Sequence, residues 1–472
     1  MTKNYQRIIA VLLVLLFGAQ MIHMGYQDRP EEVEIVVERP IRIWYTDPDI
    51  QAYMEAAAAE VSVRYQVEVS AELVSEVDYI EHISEKSVEE EMAGPDVYVA
   101  SSALLEKATL AGLTTPVSDE NLEKTYSEKA VQAVTYDGEA VAWPFYIETC
   151  VMLYNRYYVN QEQVPSDIED ILIYAENFEA DDLTSRVENI FKWNVADVID
   201  NYMFLGAYTD LGGSHGDDKS QVSMDLGQIT ECMNYFQSLN EFFAIDADTV
   251  TSEEVIREFI EGKTVFTIAN VPMLAELDRA VANGEVPEYP AEKTVMGENG
   301  EEIIEALNYD PFYQVALLPA LTDSLDSRGL SVTNSVVVNP YSSNVEAAKA
   351  CARYLTRERA GNLYEEASKL TACKGILGET QTEPEEKKEW FFMGYQSLYE
   401  QLSGGGKEHT EKASDDYLIV YEAYEKAAEV PKIMELSNVW LQLEVFLADI
   451  WRGQDAGEKV AGFSELLAEQ LN

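Results

Sequence analysis

The order of strands and helices in residues 41–112 constrains the fold more than any other feature of the sequence. Three apolar, strand-like stretches are interspersed here with two stretches whose apolar residues recur with the helical period of about 3.6 residues. Strands that alternate with helices pair in parallel and carry the helices on their faces, so the sequence predicts an α/β fold. The stretches, in chain order, are IRIWYTD, IQAYMEAAAAEVSVRY, QVEVSAELV, GPDVYVAS and SALLEKATLAGL, the last closed by Gly112 as a helix C-cap.

Glu148 lies in the middle of a long, extended apolar stretch at residues 140–155. An unpaired carboxylate in an apolar strand is costly, so an acid in this position normally has a partner or a functional role. Two interpretations stay open. Glu148 has a functional role, or it is a structural acid that accepts hydrogen bonds from backbone N–H groups.

The charge of the chain argues against nucleic acid as a partner. Among 472 residues, 86 are acidic and 33 are basic, which gives a formal net charge of -53. Binding to phosphates needs clustered Lys and Arg instead. The hydrophobic content of 47% is typical of a folded protein. The length predicts two lobes or domains, because a single hydrophobic core rarely holds so many residues.

The four cysteines and four histidines show no spacing typical of a zinc site, so no metal or other cofactor is expected. Each cysteine is expected to be a buried free thiol, since cysteine is among the most often buried residues. A bridge between Cys351 and Cys373 is the one disulfide to test.

Residues 1–25 have the layout of an export signal. Lys3 and Arg7 precede an apolar run from Ile8 to Ile22, and acidic residues follow. Small residues are missing before a cleavage position, and no cysteine follows the run. We therefore expect an uncleaved membrane anchor, with a cleaved signal peptide as the alternative. In both cases the rest of the chain is extracytoplasmic, at the cell surface, with residues 26–40 as a linker.

Five stretches, in the right order, resemble the extracellular solute-binding proteins of ABC importers, in the maltose-binding-like group. The second resembles the family's pattern of a Tyr, a Gly and a Pro before Glu148 and a Tyr-Asn pair after it. The resemblance covers residues 41–471 and implies two α/β lobes that close around a ligand by a hinge motion. The stretches are AGPDVYVASSALLEKATLAGLTTPVSD, YDGEAVAWPFYIETCVMLYN, FIEGKTVFTIANVP, SVVVNPYSSNVEAAKACARYLTRERA and EVPKIMELSNVWLQLE.

The resemblance also implies where the lobes begin and end. Residues 41–147 with 316–380 are expected to form lobe 1, and residues 148–315 with 381–472 are expected to form lobe 2. The ligand cleft lies between them. Glu148 is then at the crossing between the lobes, where its carboxylate can accept hydrogen bonds from ligand hydroxyls.

Further ligand-binding residues are implied by matching the family residue by residue. They lie in the turn after the first strand, in lobe 2 and in a late helix, where the family often has an aromatic ring that stacks on a sugar. For that aromatic residue, core packing of an amphipathic helix is the alternative. The expected ligand-binding residues are Tyr45, Asp47, Asp49, Glu148, Asp200, Tyr202, Asn270 and Trp440.

The sequence departs from the maltose binders at two places. Ala103 and Leu104 stand where those proteins have polar and aromatic contacts, and Asn270 and Pro272 stand where the family has a Trp. The resemblance therefore implies a small ligand that is a sugar, an oligosaccharide or a smaller polar solute, rather than a maltodextrin in particular.

The sequence thus predicts a binding protein, not an enzyme, that delivers its ligand to ABC permease subunits. Two alternatives stay open: a membrane-anchored ligand sensor of the same fold without transport, and a glycoside hydrolase with paired acids such as Asp47 and Glu148. The GGSHG motif at residues 212–216 is no nucleophile elbow, because the strand before Ser214 and the helix after it are missing from the sequence.

Overall fold

The computed structural model describes residues 39–88, 93–119, 121–160, 163–213, 215–296, 302–307, 309–374, 409–437 and 439–471. The predicted anchor at residues 1–25, most of the predicted linker and Ser214 lie outside the described residues. The chain divides into two units, Met1–Glu38 and Arg39–Asn472, and the described residues belong to the second. Within the described ranges, no helix has the length and apolar character needed to cross a bilayer.

The described strands are β1 (Ile41–Tyr45), β2 (Val69–Leu73), β3 (Val97–Ser101), β4 (Thr135–Tyr136), β5 (Glu139–Ala140), β6 (Trp143–Asn155), β7 (Asn189–Phe191), β8 (Thr209–Asp210), β9 (Ser223–Met224), β10 (Thr264–Asn270), β11 (Glu292–Met296), β12 (Glu302–Ala306), β13 (Tyr313–Ala316), β14 (Leu330–Val338), β15 (Leu370–Thr371) and β16 (Ala428–Glu429).

The described helices are α1 (Gln51–Tyr65), α2 (Tyr79–Val88), α3 (Leu105–Leu110), α4 (Leu122–Thr125), α5 (Glu128–Ala133), α6 (Ile168–Glu176), α7 (Val198–Asn201), α8 (Leu226–Phe243), α9 (Ser252–Ile260), α10 (Val271–Asn283), α11 (Val345–Arg353), α12 (Leu363–Ala367), α13 (His409–Lys426), α14 (Val439–Trp451) and α15 (Ala456–Leu471). Gly112 follows α3 in the left-handed conformation, with φ of +71°, and so ends this helix as predicted.

Ten of the described strands form one mixed sheet, in which seven follow the order β2-β1-β3-β14-β6-β10-β7. Strands β13 and β15 also pair with β6, and β16 pairs with β14. Strand β1 pairs in parallel with both β2 and β3, as the alternation of strands and helices in residues 41–112 predicts.

Strand β6 changes partners in its middle. Its first half pairs antiparallel with β14 as far as the pair Thr149–Ser331. Its second half pairs antiparallel with β10 from the pair Cys150–Asn270 onward. We call the part of the sheet with β1, β2, β3, β14, β15 and β16 the β1 portion, and the part with β7, β10 and β13 the β10 portion. The predicted lobe boundary at residues 147/148 lies next to this exchange and stays a prediction.

An aromatic core supports the β10 portion and includes helices from the C-terminal end of the chain. The Trp193 and Trp451 rings meet edge to face with centroids 5.5 Å apart, and Phe236 lies 4.9 Å from Trp451. Trp451 also donates a hydrogen bond of 2.8 Å to the carbonyl of Ile245. This packing fixes α14 against α8. The four cysteines are buried free thiols, as expected, and Cys351 and Cys373 are not bridged.

Glu429 in β16 connects separate parts of the β1 portion. Its carboxylate accepts hydrogen bonds of 2.8 Å from the hydroxyls of Ser102 and Ser331, and one of 2.9 Å from the N–H of Thr333. Burial raises the pKa of Glu429, although the neighbouring Lys129 ammonium and these hydrogen bonds act in the opposite direction. The carboxylate is therefore the shared acceptor of three donors that have been removed from water.

Replacement of Glu429 by Ala should destabilise the protein, because three donors lose their acceptor. We expect Glu429→Ala to lower the free energy of unfolding by about 3 kcal/mol, measured by urea denaturation. Glu422→Ala is the matched control, because Glu422 forms an exposed pair with Lys426 on α13. Such a pair contributes about 0.5 kcal/mol or less. Equal losses in the two variants would contradict the role given to Glu429.

Candidate functional site

Three of the predicted acids meet around one buried lysine. The Lys369 ammonium lies 3.0 Å from Asp47 Oδ2, 3.4 Å from Asp49 Oδ2 and 3.3 Å from Glu148 Oε1. The Lys369 side chain is only 5% exposed, whereas that of Asp49 is 58% exposed. The sequence analysis identified the three acids and missed the lysine that holds them together. We call these four residues the Lys369 cluster.

Elements of the β1 portion position the cluster. Strand β1 ends at Tyr45, and Asp47 then begins a single helical turn by accepting the N–H of Asp49 at 2.9 Å. Glu148 belongs to the first half of β6. Lys369 directly precedes β15, which pairs with β6 through Leu370 and Ile147. Each side chain is therefore held by regular structure or by a cap next to it.

Neighbouring polar side chains complete the hydrogen bonding of the cluster. Asn334 donates its amide to Glu148 Oε2 at 3.0 Å, and the Tyr146 hydroxyl donates to Asp47 Oδ2 at 2.9 Å. The Lys369 ammonium also lies 5.5 Å from the centre of the Tyr146 ring. Glu148 is thus bonded to two side chains, those of Lys369 and Asn334. The structural interpretation had instead expected backbone N–H groups as its partners.

Electrostatics keep Lys369 charged. Burial acts to lower its pKa, but Glu148, Asp47 and Asp49 outweigh burial and raise the pKa above the usual value for lysine. Three carboxylates against one ammonium leave an excess of negative charge and of acceptor oxygens. The cluster can therefore accept hydrogen bonds from hydroxyl groups that approach its exposed oxygens.

A cleft of about 390 Å³ begins beside the cluster and lies between the two portions of the sheet. Its volume is in the range typical of small-molecule sites. Asp49 and the end of α12 form one wall. The start of α9 and one face of α10 form the other. The lining residues are Asp49, Ser252, Glu253, Ile256, Asn270, Pro272, Met273, Glu276, Arg279, Glu366, Ala367 and Ser368.

Asn270 is the predicted residue that lies on the wall opposite Asp49. It ends β10 and caps α10, and its side-chain oxygen accepts the N–H of Met273 at 3.2 Å. The same capping role explains why Asn, a strong helix N-cap, precedes Pro272 in the first turn of α10. The cap holds this wall of the cleft in a defined position.

The structure places three other predicted residues in the interior of the protein. Tyr45 is a core residue. Asp200 accepts a hydrogen bond from the Cys150 thiol, with Sγ 3.0 Å from Oδ1, and burial together with the charge of Asp197 raises the pKa of Asp200 well above its usual value. The Tyr202 hydroxyl forms a hydrogen bond of 2.7 Å with Thr209.

Trp440 is partly exposed and packs against Tyr202, with ring centroids 6.3 Å apart. Of the eight predicted residues, Asp49 and Asn270 line the cleft, on opposite walls. Asp47 and Glu148 lie next to Asp49 in the Lys369 cluster, behind the lining. The other four, Tyr45, Asp200, Tyr202 and Trp440, belong neither to the lining nor to the cluster. The ligand-binding roles of all eight residues stay predictions.

Comparison with known proteins gives a consistent result. The family profile described as bacterial extracellular solute-binding protein matches residues 51–360. The maltotriose-binding protein of Pyrococcus abyssi is 26% identical over 175 residues, which amount to 36% of this chain and 36% of that protein. The chain thus matches about a third of the length of this relative.

Two solved structures share the architecture. One, a cyclo/maltodextrin-binding protein complexed with maltotetraose, superposes with a TM-score of 0.65 at 15% identity, over 93% of this chain and 98% of that one. The other, the Thermus thermophilus maltotriose binding protein bound with maltotriose, gives a TM-score of 0.63 at 14% identity, over 92% and 100% of the two chains. This likeness confirms the predicted two-lobe α/β fold.

Loss of the Lys369 ammonium should destabilise the cluster, because three carboxylates then repel one another. We expect Lys369→Met to lower the free energy of unfolding by about 3 kcal/mol near neutral pH. Because the folded-state pKa of Lys369 is raised, its contribution is complete below the unfolded-state pKa and is lost as pH rises through the folded-state value. The difference between wild type and variant should therefore stay constant from about pH 6 to about pH 9 and shrink above about pH 10.5.

Lys349→Met serves as the control for this measurement. Lys349 pairs with Glu346 on the surface of α11, where an ion pair contributes little. If Lys369→Met costs no more stability than Lys349→Met, the three acids do not need this counter-charge.

Proposed function

Since the chain belongs to the bacterial extracellular solute-binding proteins, we propose that it captures a sugar or an oligosaccharide and delivers it to the permease subunits of an ABC importer. Membership of this family implies an extracytoplasmic location. The single observation on which the proposal of a sugar ligand rests is the Lys369 cluster beside a polar cleft. Maltotriose and maltotetraose, named for the similar proteins, are ligands of the same class.

The chemistry of the cleft suits a neutral polyhydroxylated ligand. Hydroxyl groups can donate to the exposed oxygens of Asp49 and to the acceptor capacity left on Asp47 and Glu148. Asn270 and Ser368 add neutral polar groups on the two walls. A small number of fixed polar groups gives such a site its orientation and specificity.

The exchange of partners in β6 supports a hinge. Movement of the β10 portion relative to the β1 portion needs a place where backbone torsions can change, and the step from Thr149 to Cys150 is one. On this proposal residues 41–147 with 316–380, and 148–315 with 381–472, form the two lobes, except that β16 moves with the first lobe because it pairs with β14. A ligand that contacts both walls favours the closed form by its differential affinity for it.

We also propose that the protein is attached to the membrane by its N-terminal segment. The apolar run from Ile8 to Ile22 follows Lys3 and Arg7, an arrangement typical of a segment whose positive end stays in the cytoplasm. Attachment would keep the binding protein close to the permease at the cell surface.

The proposed ligand class can be tested by thermal shift with maltotriose and a panel of other sugars, since a ligand that binds only the folded state raises the melting temperature. For the sugar that gives the largest shift, Glu148→Gln should weaken binding about 10-fold to 100-fold in calorimetric titration, as for the loss of a hydrogen bond to a charged acceptor. Glu139→Gln, an exposed acid in β5, should leave the affinity unchanged.

Two outcomes would argue against this function. The first is a panel in which no carbohydrate raises the melting temperature. The second is that the wild-type protein releases the chromophore from a chromogenic glycoside while Asp47→Asn and Glu148→Gln do not. That result would indicate a hydrolase.

If the N-terminal segment is an uncleaved anchor, residues 1–25 stay on the mature protein. Mass spectrometry of the membrane fraction should detect a peptide that contains the Ile8–Ile22 run. A mature N-terminus that begins after Gly25, in protein released to the medium, would establish a cleaved signal peptide in place of the anchor.

A further inference from the structure

The carboxylate of Asp278 on α10 accepts hydrogen bonds from tyrosine hydroxyls of three separate elements. Tyr364 of α12 donates to Oδ2 at 2.7 Å, and Tyr417 of α13 donates to the same oxygen at 3.2 Å. Tyr313 of β13 donates to Oδ1. The rings of Tyr364 and Tyr417 meet edge to face, with centroids 4.7 Å apart. One carboxylate thus accepts three hydrogen bonds, each to a charged group and so stronger than a bond between neutral partners.

Two of the three hydroxyls, those of Tyr364 and Tyr313, come from different sides of the cleft. Helix α10 and strand β13 belong with the β10 portion, where β13 pairs with the second half of β6. Helix α12 packs against α1 and β15, on the side of the β1 portion. The bond between Tyr364 and Asp278 therefore crosses from one portion to the other, whereas the bond between Tyr313 and Asp278 stays within one.

The two helices joined by this crossing bond also form the walls of the cleft. Helix α10 supplies Glu276 and Arg279, which flank Asp278 in the sequence, and α12 supplies Glu366 and Ala367. A second and weaker contact crosses nearby, from Arg279 Nη2 to the Ser368 hydroxyl at 3.5 Å. Asp278 itself is absent from the cleft lining.

We infer that Asp278 is a positioning residue for ligand binding: with Tyr364 it holds the two walls of the cleft at the separation at which both can contact a ligand, and it does so without touching the ligand. The inference deepens the proposed function and rests on it for the identity of the cleft. Tyr417 supports the crossing bond by donating to the same oxygen.

The donors keep their protons under physiological conditions. Burial raises the pKa of Tyr364, Tyr417 and Tyr313 above the usual value for tyrosine, and the charge of Asp278 adds to the increase for each of them. The three hydroxyls therefore keep their protons, and can donate them, at neutral pH and well above it.

Two conservative substitutions separate positioning from simple structural support. Tyr364→Phe removes the crossing bond, and Tyr313→Phe removes a bond to the same carboxylate within one portion. Both delete a single hydroxyl and preserve the ring. If Asp278 positions the walls, only the first should change their separation. Asp278→Asn, which keeps the size of the side chain and weakens all three bonds, should act in the same direction as Tyr364→Phe.

The separation can be measured without ligand by pulsed electron paramagnetic resonance between spin labels at V63C and I173C. Val63 on α1 is 81% exposed and Ile173 on α6 is 57% exposed, and the four native cysteines are buried. We expect Tyr364→Phe and Asp278→Asn to add a second population at a different distance. Tyr313→Phe should reproduce the distribution of the labelled wild-type protein.

Binding gives the second readout. With maltotriose, or the panel sugar that gives the largest thermal shift, Tyr364→Phe should weaken affinity by up to about tenfold, because the binding-competent form is less populated. The ligand-free melting temperatures of Tyr364→Phe and Tyr313→Phe should agree. If Tyr364 had a purely structural role, Tyr364→Phe would instead melt at a lower temperature than Tyr313→Phe, and its distance distribution would match that of the wild-type protein.

The inference is overturned if Tyr364→Phe leaves the distance distribution as in wild type, or if Tyr313→Phe alters it equally. Failure of the proposed function looks different, because the distances are recorded without ligand. If no carbohydrate binds but Tyr364→Phe still shifts the distances, the positioning of the walls stands and the ligand class is wrong.

Discussion

The unbroken strand β6 is the constraint on which the rest of the structure depends. Every backbone N–H and C=O in a buried strand needs a partner. The 13 residues of β6 find theirs first on β14 and β15 and then on β10 and β13. Both portions of the sheet are therefore bonded to one continuous backbone. On the proposed hinge motion, the backbone of β6 would bend near Thr149 and Cys150, where the pairing partners change.

The candidate site adjoins this point because Glu148 precedes it directly. A lone carboxylate in an apolar strand would be costly, and the Lys369 ammonium and the Asn334 amide offset that cost. The cluster nevertheless keeps more negative charge than positive, in a chain whose formal net charge is -53. An anionic ligand meets repulsion at long range, whereas a neutral ligand rich in hydroxyls supplies donors to the excess of acceptor oxygens. The electrostatics of the site therefore agree with the proposed carbohydrate class.

The sequence by itself determined the features that depend on neighbouring residues. Alternation of strands and helices indicated the parallel pairing of β1 with β2 and β3, and Gly112 marked the end of a helix. The apolar context of Glu148 indicated that this acid needed a partner, whereas Asp47 and Asp49 were implied only by the resemblance to a known family. Periodicity, caps and a charge in an apolar run are all visible within a few residues, which is why these inferences needed no tertiary structure.

Only the tertiary structure decided which distant groups meet. Lys369 lies 221 residues after Glu148 in the chain, and no local pattern distinguishes it from the other basic residues. The three tyrosines around Asp278 lie 35, 86 and 139 residues after it in the chain. Likewise, the resemblance implied ligand-binding roles for Asp200 and Tyr202, yet both are buried, Asp200 because α7 packs against β6 and α14. Counter-charges, crossing hydrogen bonds and burial are set by long-range packing, because they depend on which surfaces the folded chain brings into contact.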